Sequence, residues 1–164
     1  MQNSWQQISE EICDTCSGEC CRHAHPPLSP RRKSILLSKD CPDTTFEHTG
    51  YSRLKCRADG MCIMNIQGKC AIHGYKPETC VSGPFTFDVK GNMIEIFLKK
   101  ESICPLVRYL KHDAVAYQSQ FTLAASCLRR LVLDLPEDEL KDVLTISEPE
   151  TDLVSVIPVE GDSP

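Results

Sequence analysis

Eleven cysteines in a 164-residue chain constrain the fold more than any other feature. So many thiols serve as disulfides, as metal ligands or as buried side chains, and each use leaves different marks in the sequence around it. The chain opens MQNSWQQISEEIC, polar and acidic where an export signal has a basic stretch followed by an apolar one. No later stretch approaches the roughly 18 apolar residues of a membrane span. Together these features predict a cytoplasmic chain with no membrane partner. In a reducing compartment a cysteine-dense pattern points to metal or redox chemistry rather than to disulfides. The odd count also leaves at least one thiol unpaired in any intramolecular disulfide scheme.

The densest run is Cys13-Asp-Thr-Cys16-Ser-Gly-Glu-Cys20-Cys21. A C-x-x-C pair is a good metal pincer because its short loop aims two sulfurs at one ion. Cys13, Cys16 and Cys20 recur at i, i+3 and i+7, so one helical face carries all three if the segment is helical. Cys21 would then be turned about 100° away, toward a second metal or a bridging role. Four more cysteines follow, Cys62, Cys70, Cys80 and Cys104. Eight thiolates suit two four-cysteine sites for zinc or iron, the iron form including an iron–sulfur cluster. Cys127 shares an apolar helical face with Ala124 and Leu131 and reads as a buried thiol. Cys41, in a loop, and Cys56, on a strand, are left open. His23, His25 and His73 lie near the cysteines and are candidate nitrogen ligands, although surface or hydrogen-bonded histidine is the simpler reading.

The spacing of apolar residues and turn signals predicts an α+β fold, with small antiparallel hairpins between N- and C-terminal helices. A helix is expected over residues 4–12, from Trp5, Ile8 and Ile12. Ser29-Pro30 caps a second helix through about Lys39. Asp59-Gly60 and Gln67-Gly68-Lys69 mark turns between short strands, and PFTFDV–KGN–MIEIFL reads as a clearer hairpin. Pro77 opens a helical turn ending at Cys80. Phe121, Ala124, Leu128 and Leu131 mark one face of a long helix, and a last helix spans about 136–144. The expected organisation is a metal-binding domain over 1–146, with its motif at 13–104 and a helical part at 104–146. Residues 147–164 are expected as a flexible acidic tail, in which LVSVI has the pattern to pair with a sheet edge.

Charge sharpens this division. The net charge is −5, yet from Pro136 onward acids far outnumber the single Lys141, so the body is mildly basic. The tail could recruit a protein partner. Arg22, Arg31, Arg32 and Lys33 form only a modest basic patch, best read as a solvated face. The chain lacks the strongly basic domain and aromatic platforms of a nucleic-acid binder. Sequence signatures of nucleotide-binding loops, metalloproteases and serine hydrolases are missing, so no catalytic site is legible.

The cysteine run, with Cys62, Gly68-Lys69-Cys70-Ala71-Ile72 and Tyr75-Lys76-Pro77-Glu78-Thr79-Cys80, resembles the CxxCxxxCC cysteine-cluster family (YkgJ-like). The resemblance spans about Cys13 to Cys104 and implies a zinc- or iron-chelating domain. A related cluster is associated with flagellin lysine methylation, so the resemblance is compatible with an iron–sulfur-dependent redox or protein-modifying enzyme. A zinc-stabilised interaction module is a further alternative. This chain has Lys76-Pro77 where the family usually has Arg-Pro, Val81 where it has Arg, and the additional Cys41 and Cys56.

Overall fold

The computed structural model describes residues 5–16, 18–145 and 150–160. In chain order its elements are α1 (Trp5–Cys16), α2 (Pro30–Ser38), β1 (Phe46–His48), β2 (Ser52–Leu54), β3 (Asn65–Ile66) and β4 (Lys69–Cys70). They continue with α3 (Glu78–Ser82), β5 (Phe85–Lys90), β6 (Met93–Lys99), α4 (Leu106–His112), α5 (Ala114–Asp134), α6 (Glu137–Leu144) and β7 (Thr151–Pro158). The fold is α+β, as the sequence pattern predicts. Its strands make two two-stranded hairpins, β1–β2 and β3–β4, and one antiparallel sheet in the order β5-β6-β7. No helix among the described residues is long and apolar enough to cross a membrane.

The larger core forms where alternation is strongest. Along β6 the residues Ile94, Ile96 and Leu98 are buried, and register places Phe85 opposite Leu98 and Phe87 opposite Ile96. α5 lays Ala116, Gln120, Ala124, Leu128 and Leu131 toward the interior, following the expected helical stripe. Each fully buried leucine or isoleucine contributes at most about 1.5–3 kcal/mol. β7 completes the sheet, with Ile157 opposite Ile94 and packed on this core. Residues 151–158 thus take the edge-pairing course that LVSVI allows, within the segment expected as a flexible tail. Residues 147–149 and 161–164 of the expected tail lie outside the described residues.

A second core holds the cysteine-rich half together through Leu28, Leu36, Phe46, Leu54 and Ile72, with Cys41 and Cys62 among them. Its elements are short, so it draws little from ladder hydrogen bonding. α2 is capped as predicted: Ser29 Oγ accepts from the Arg32 N–H at 3.1 Å, and Pro30 opens the helix. Tyr51, Leu131, Leu135 and Val143 form a smaller apolar patch between the halves.

The first helix runs four residues beyond its expected end, to Cys16. Gly18 then takes a left-handed conformation, φ 69°, and its N–H reaches the Cys13 carbonyl at 3.4 Å. One 3-10 turn over Glu19–Cys21 follows. Cys20 therefore leaves the face that carries Cys13 and Cys16. The i+7 spacing is undone by a single glycine.

Candidate metal centre

Two cysteine-bearing helices are held by one buried amide. Trp5 of α1 stacks on Tyr109, with ring centroids 5.5 Å apart, and its Nε1–H donates to Gln120 Oε1 at 2.8 Å. Gln120 Nε2 in turn donates to the Val81 and Gly83 carbonyls at 2.9 and 2.8 Å. α5 thus fixes α1, with Cys13 and Cys16, and the end of α3, with Cys80. Two contacts link α1 to the Cys70 segment: the Lys69–Asp14 ion pair at 3.3 Å and the approach of His73 Nε2 to Glu10 Oε1 at 3.0 Å.

The basic patch is not simply solvated. Glu78, 1% exposed, accepts through Oε1 from Arg32 Nε and Nη2 at 3.2 and 3.1 Å and from Arg31 Nη2 at 3.3 Å. Arg32 also reaches the Tyr75 carbonyl at 3.2 Å. These bonds tie the turn before Cys80 to the first turn of α2. Basic residues in the first turn of a helix oppose its dipole, and the buried Glu78 carboxylate offsets part of that positive charge.

Backbone pairing aligns three further thiols. Antiparallel bridges join Arg22 to Met61 and Cys56 to Cys62, so residues 21–23, 60–63 and 55–57 lie side by side. The Cys62 N–H donates to the Cys21 carbonyl at 2.9 Å. Cys21, Cys62 and Cys56 therefore occupy facing register positions across three short segments. At Cys62 the backbone amides of Met64 and Asn65 oppose burial, as does that of Ile72 at Cys70 and that of Leu106 at Cys104, but burial outweighs them and leaves each thiol raised. Such donors stabilise a thiolate over a thiol.

The electrostatics link the thiols. Burial pushes Cys13 up to about 11, with the neighbouring Cys20, Cys104 and Cys16 thiolates adding to it and Lys76 opposing. Cys20 is raised further, first by its hydrogen bond to Cys21 and then by burial. Cys104 is raised by burial and feels Cys20 and Cys16. Burial of its thiol pushes Cys80 up to about 12, with Cys20, Cys62 and Cys70 adding to it and Lys76 opposing, although the residue as a whole is exposed. Cys21 alone is lowered, by the Cys20 thiol and then, against burial, by Asn65; it also feels Cys62 and Cys80. Cys20 acts on Cys13, Cys104, Cys70 and Cys80 and bonds Cys21, which itself feels Cys62 and Cys80, so the thiols share one continuous field with Cys20 and Cys21 at its centre.

Among the described residues, no three His, Cys, Asp or Glu side chains converge tightly enough to hold a metal ion as they stand. In the proton-bearing state the thiols repel any joint ionisation, and a cation reverses that sign. The donor set fits zinc or iron: soft sulfur ligands, backbone donors at three of them, and the side chains of Lys76 and Lys99 as counter-charges. An orphaned amide fits as well. Asn65, 3% exposed, accepts from the Gly68 N–H at 3.1 Å through Oδ1, whereas its Nδ2 has no oxygen or nitrogen acceptor and faces the Cys21 sulfur.

The remaining candidates fall elsewhere. His73 pairs with Glu10, and the His23 ring lies over Gly60. His25 Nδ1 is 3.8 Å from Cys56 Sγ, which also bonds the Ala24 carbonyl at 3.1 Å. Cys41 is a buried thiol of the second core, and Cys127 is half-buried on α5. Arg22 and Lys69, each next to a candidate ligand in sequence, pair with Glu19 and Asp14. Gln120, Glu78, Asn65 and Lys99 are not among the residues expected from the sequence to be functional. Their roles arise from contacts across the fold, and only the polar Gln120 on an apolar stripe hints at one.

No curated protein matches the chain, and no solved structure does. The CxxCxxCC family model, described as "Putative zinc- or iron-chelating domain", matches residues 12–105, more than half of the chain. That segment begins one residue before Cys13 and ends one residue after Cys104, enclosing all eight candidate ligands. The chain belongs to the CxxCxxCC family of zinc- or iron-chelating domains.

Proposed function

We propose that the chain holds zinc or iron through two four-cysteine centres, one of Cys13, Cys16, Cys20 and Cys104 and one of Cys21, Cys62, Cys70 and Cys80. The observation that carries this reading is the match of the zinc- or iron-chelating family model to residues 12–105, which encloses all eight cysteines. The register that sets Cys21 opposite Cys62, with the Cys62 N–H donating to the Cys21 carbonyl at 2.9 Å, supports the second centre. A divalent ion with four thiolates carries a charge of −2, and an oxidised four-iron cluster with four thiolates carries the same; Lys76 and Lys99 offset part of it.

Bound zinc would supply cross-links within a region of short elements, and an iron–sulfur cluster would add one-electron chemistry. The residues themselves do the holding. α1 supplies Cys13 and Cys16, the 3-10 turn divides Cys20 from Cys21, and the Glu78–Arg32 pair steadies the approach to Cys80. Elemental analysis and a visible spectrum, on protein purified without oxygen or added metal, test the proposal. Stoichiometric metal is expected: colourless protein with zinc, or brown protein with iron and acid-labile sulfide. Folded protein that takes up neither metal overturns it.

A further inference from the structure

Cys56 lies outside both proposed centres, yet it stands directly across the chain from a member of one. The Arg57 N–H donates to the Met61 carbonyl at 2.8 Å and the Ile63 N–H to the Lys55 carbonyl at 2.9 Å. These two bonds bracket Cys56 and Cys62 and make them a non-hydrogen-bonded antiparallel pair. In such a pair the Cα atoms stand about 4.5 Å apart, with side chains on one face. A disulfide accepts Cα separations of about 4.4–6.8 Å. The Cys56 Sγ is now turned to the Ala24 carbonyl at 3.1 Å, so bridging asks for a side-chain rotation and no change of register. Cys56 is half-buried and open to a small reagent, whereas Cys62 is 6% exposed.

We propose that Cys56 is a redox partner of Cys62, joined to it as a cross-strand disulfide by a low-molecular-weight disulfide oxidant. The Cys56 thiolate attacks one sulfur of the oxidant, the oxidant's S–S bond breaks, and one small thiolate leaves. The Cys62 sulfur then attacks Cys56 in that mixed disulfide, forming the Cys56–Cys62 bond and expelling the second small thiolate. Two cysteine thiols lose two electrons, one small disulfide gains them, and two protons pass to the departing thiols. The pairing stands on backbone geometry. Its consequence, removal of a ligand and release of metal from the Cys21/Cys62/Cys70/Cys80 centre, rests on the proposed function above.

The test equilibrates protein carrying its metal in mixtures of reduced and oxidised glutathione, then alkylates and digests it with trypsin without reduction. Cleavage after Lys55, Arg57 and Lys69 leaves Cys56-Arg57 and the peptide Ala58–Lys69, whose only cysteine is Cys62. The linked pair of peptides should accumulate first as the mixture becomes more oxidising. Metal should reach a chromogenic chelator in step, and Cys56→Ser should retain metal under conditions that release it from the unsubstituted chain. Other disulfides forming without this one overturns the pairing. The linked peptides with all metal retained overturns Cys62 as a ligand. Equal metal loss with and without Cys56 overturns the redox role.

Discussion

Arg32 of α2 donates two hydrogen bonds to one oxygen of Glu78, at 3.2 and 3.1 Å, across 46 residues of sequence. Because Glu78 is 1% exposed and Arg32 largely shielded, removing Glu78 strands the Arg32 charge. Glu78→Ala is therefore expected to cost about 3–5 kcal/mol, the usual penalty for breaking a buried pair. Urea unfolding measures it. Arg31→Ala should cost much less, since that guanidinium is half in solvent.

Chelation should open one half of the molecule and spare the other. The cysteine-rich half has strands of two or three residues and a small core, whereas β5, β6, α4 and α5 share the larger one. A small metal-organised domain depends on its ion for folding energy. The single tryptophan, Trp5, stacks on Tyr109 and reports whether α1 stays docked. With chelator, trypsin should cut within residues 13–82 before 85–144, and Trp5 emission should shift to the red. Unchanged cleavage and emission would count against a structural metal.

The sign of the pH dependence should differ between metal-free and loaded protein. In the metal-free chain, burial raises Cys13 to about 11 and Cys80 to about 12, from an ordinary 9.0. Between about pH 9 and 12 the unfolded thiols have released protons that the folded ones still hold. The stability these groups contribute is complete below about pH 9 and falls as pH rises through that window. With metal bound, the sulfurs carry no protons, so stability instead falls on acidification as protons compete for sulfur. Thermal unfolding across about pH 6 to 11, with and without chelator, should show the two opposite slopes.

Gly18 and Gly91 both adopt positive φ, 69° and 61°, but differ in what surrounds them. A Cβ on Gly18 would stand 2.6 Å from Asn65 Nδ2 and 3.6 Å from Cys21 Sγ, whereas one on Gly91 meets nothing within 4 Å. Gly91→Ala should cost about 1–2 kcal/mol, the left-handed backbone penalty, and leave metal affinity unchanged. Gly18→Ala should carry the same backbone penalty and also weaken metal binding, by displacing the Asn65 amide from the sulfur. Competition against a chelator of known affinity compares the two.

What the sequence makes legible is local. Ser29-Pro30 marks the start of α2, Lys90-Gly91-Asn92 marks the β5–β6 turn, and the stripe Ala124, Leu128, Leu131 marks α5, each through residues close together in the chain. The cysteine spacing also identifies the family. The grouping of the cysteines is not local. The i, i+3, i+7 pattern puts Cys20 with Cys13 and Cys16 on one helix, but Gly18 ends that helix first. Arg31 and Arg32 read as a solvated patch because their partner, Glu78, is distant in sequence. β7 sits in a segment whose composition resembles a tail, and only the Ile94↔Ile157 register shows why it orders.

In both proposed centres sulfur alone surrounds the metal. X-ray absorption at the metal edge of the protein as purified reads that shell directly. Four sulfur scatterers at about 2.3 Å, with no nitrogen or oxygen in the first shell, is the expected result for zinc. A shell dominated by histidine nitrogen or carboxylate oxygen would contradict the assignment of Cys13, Cys16, Cys20, Cys21, Cys62, Cys70, Cys80 and Cys104 as the ligands.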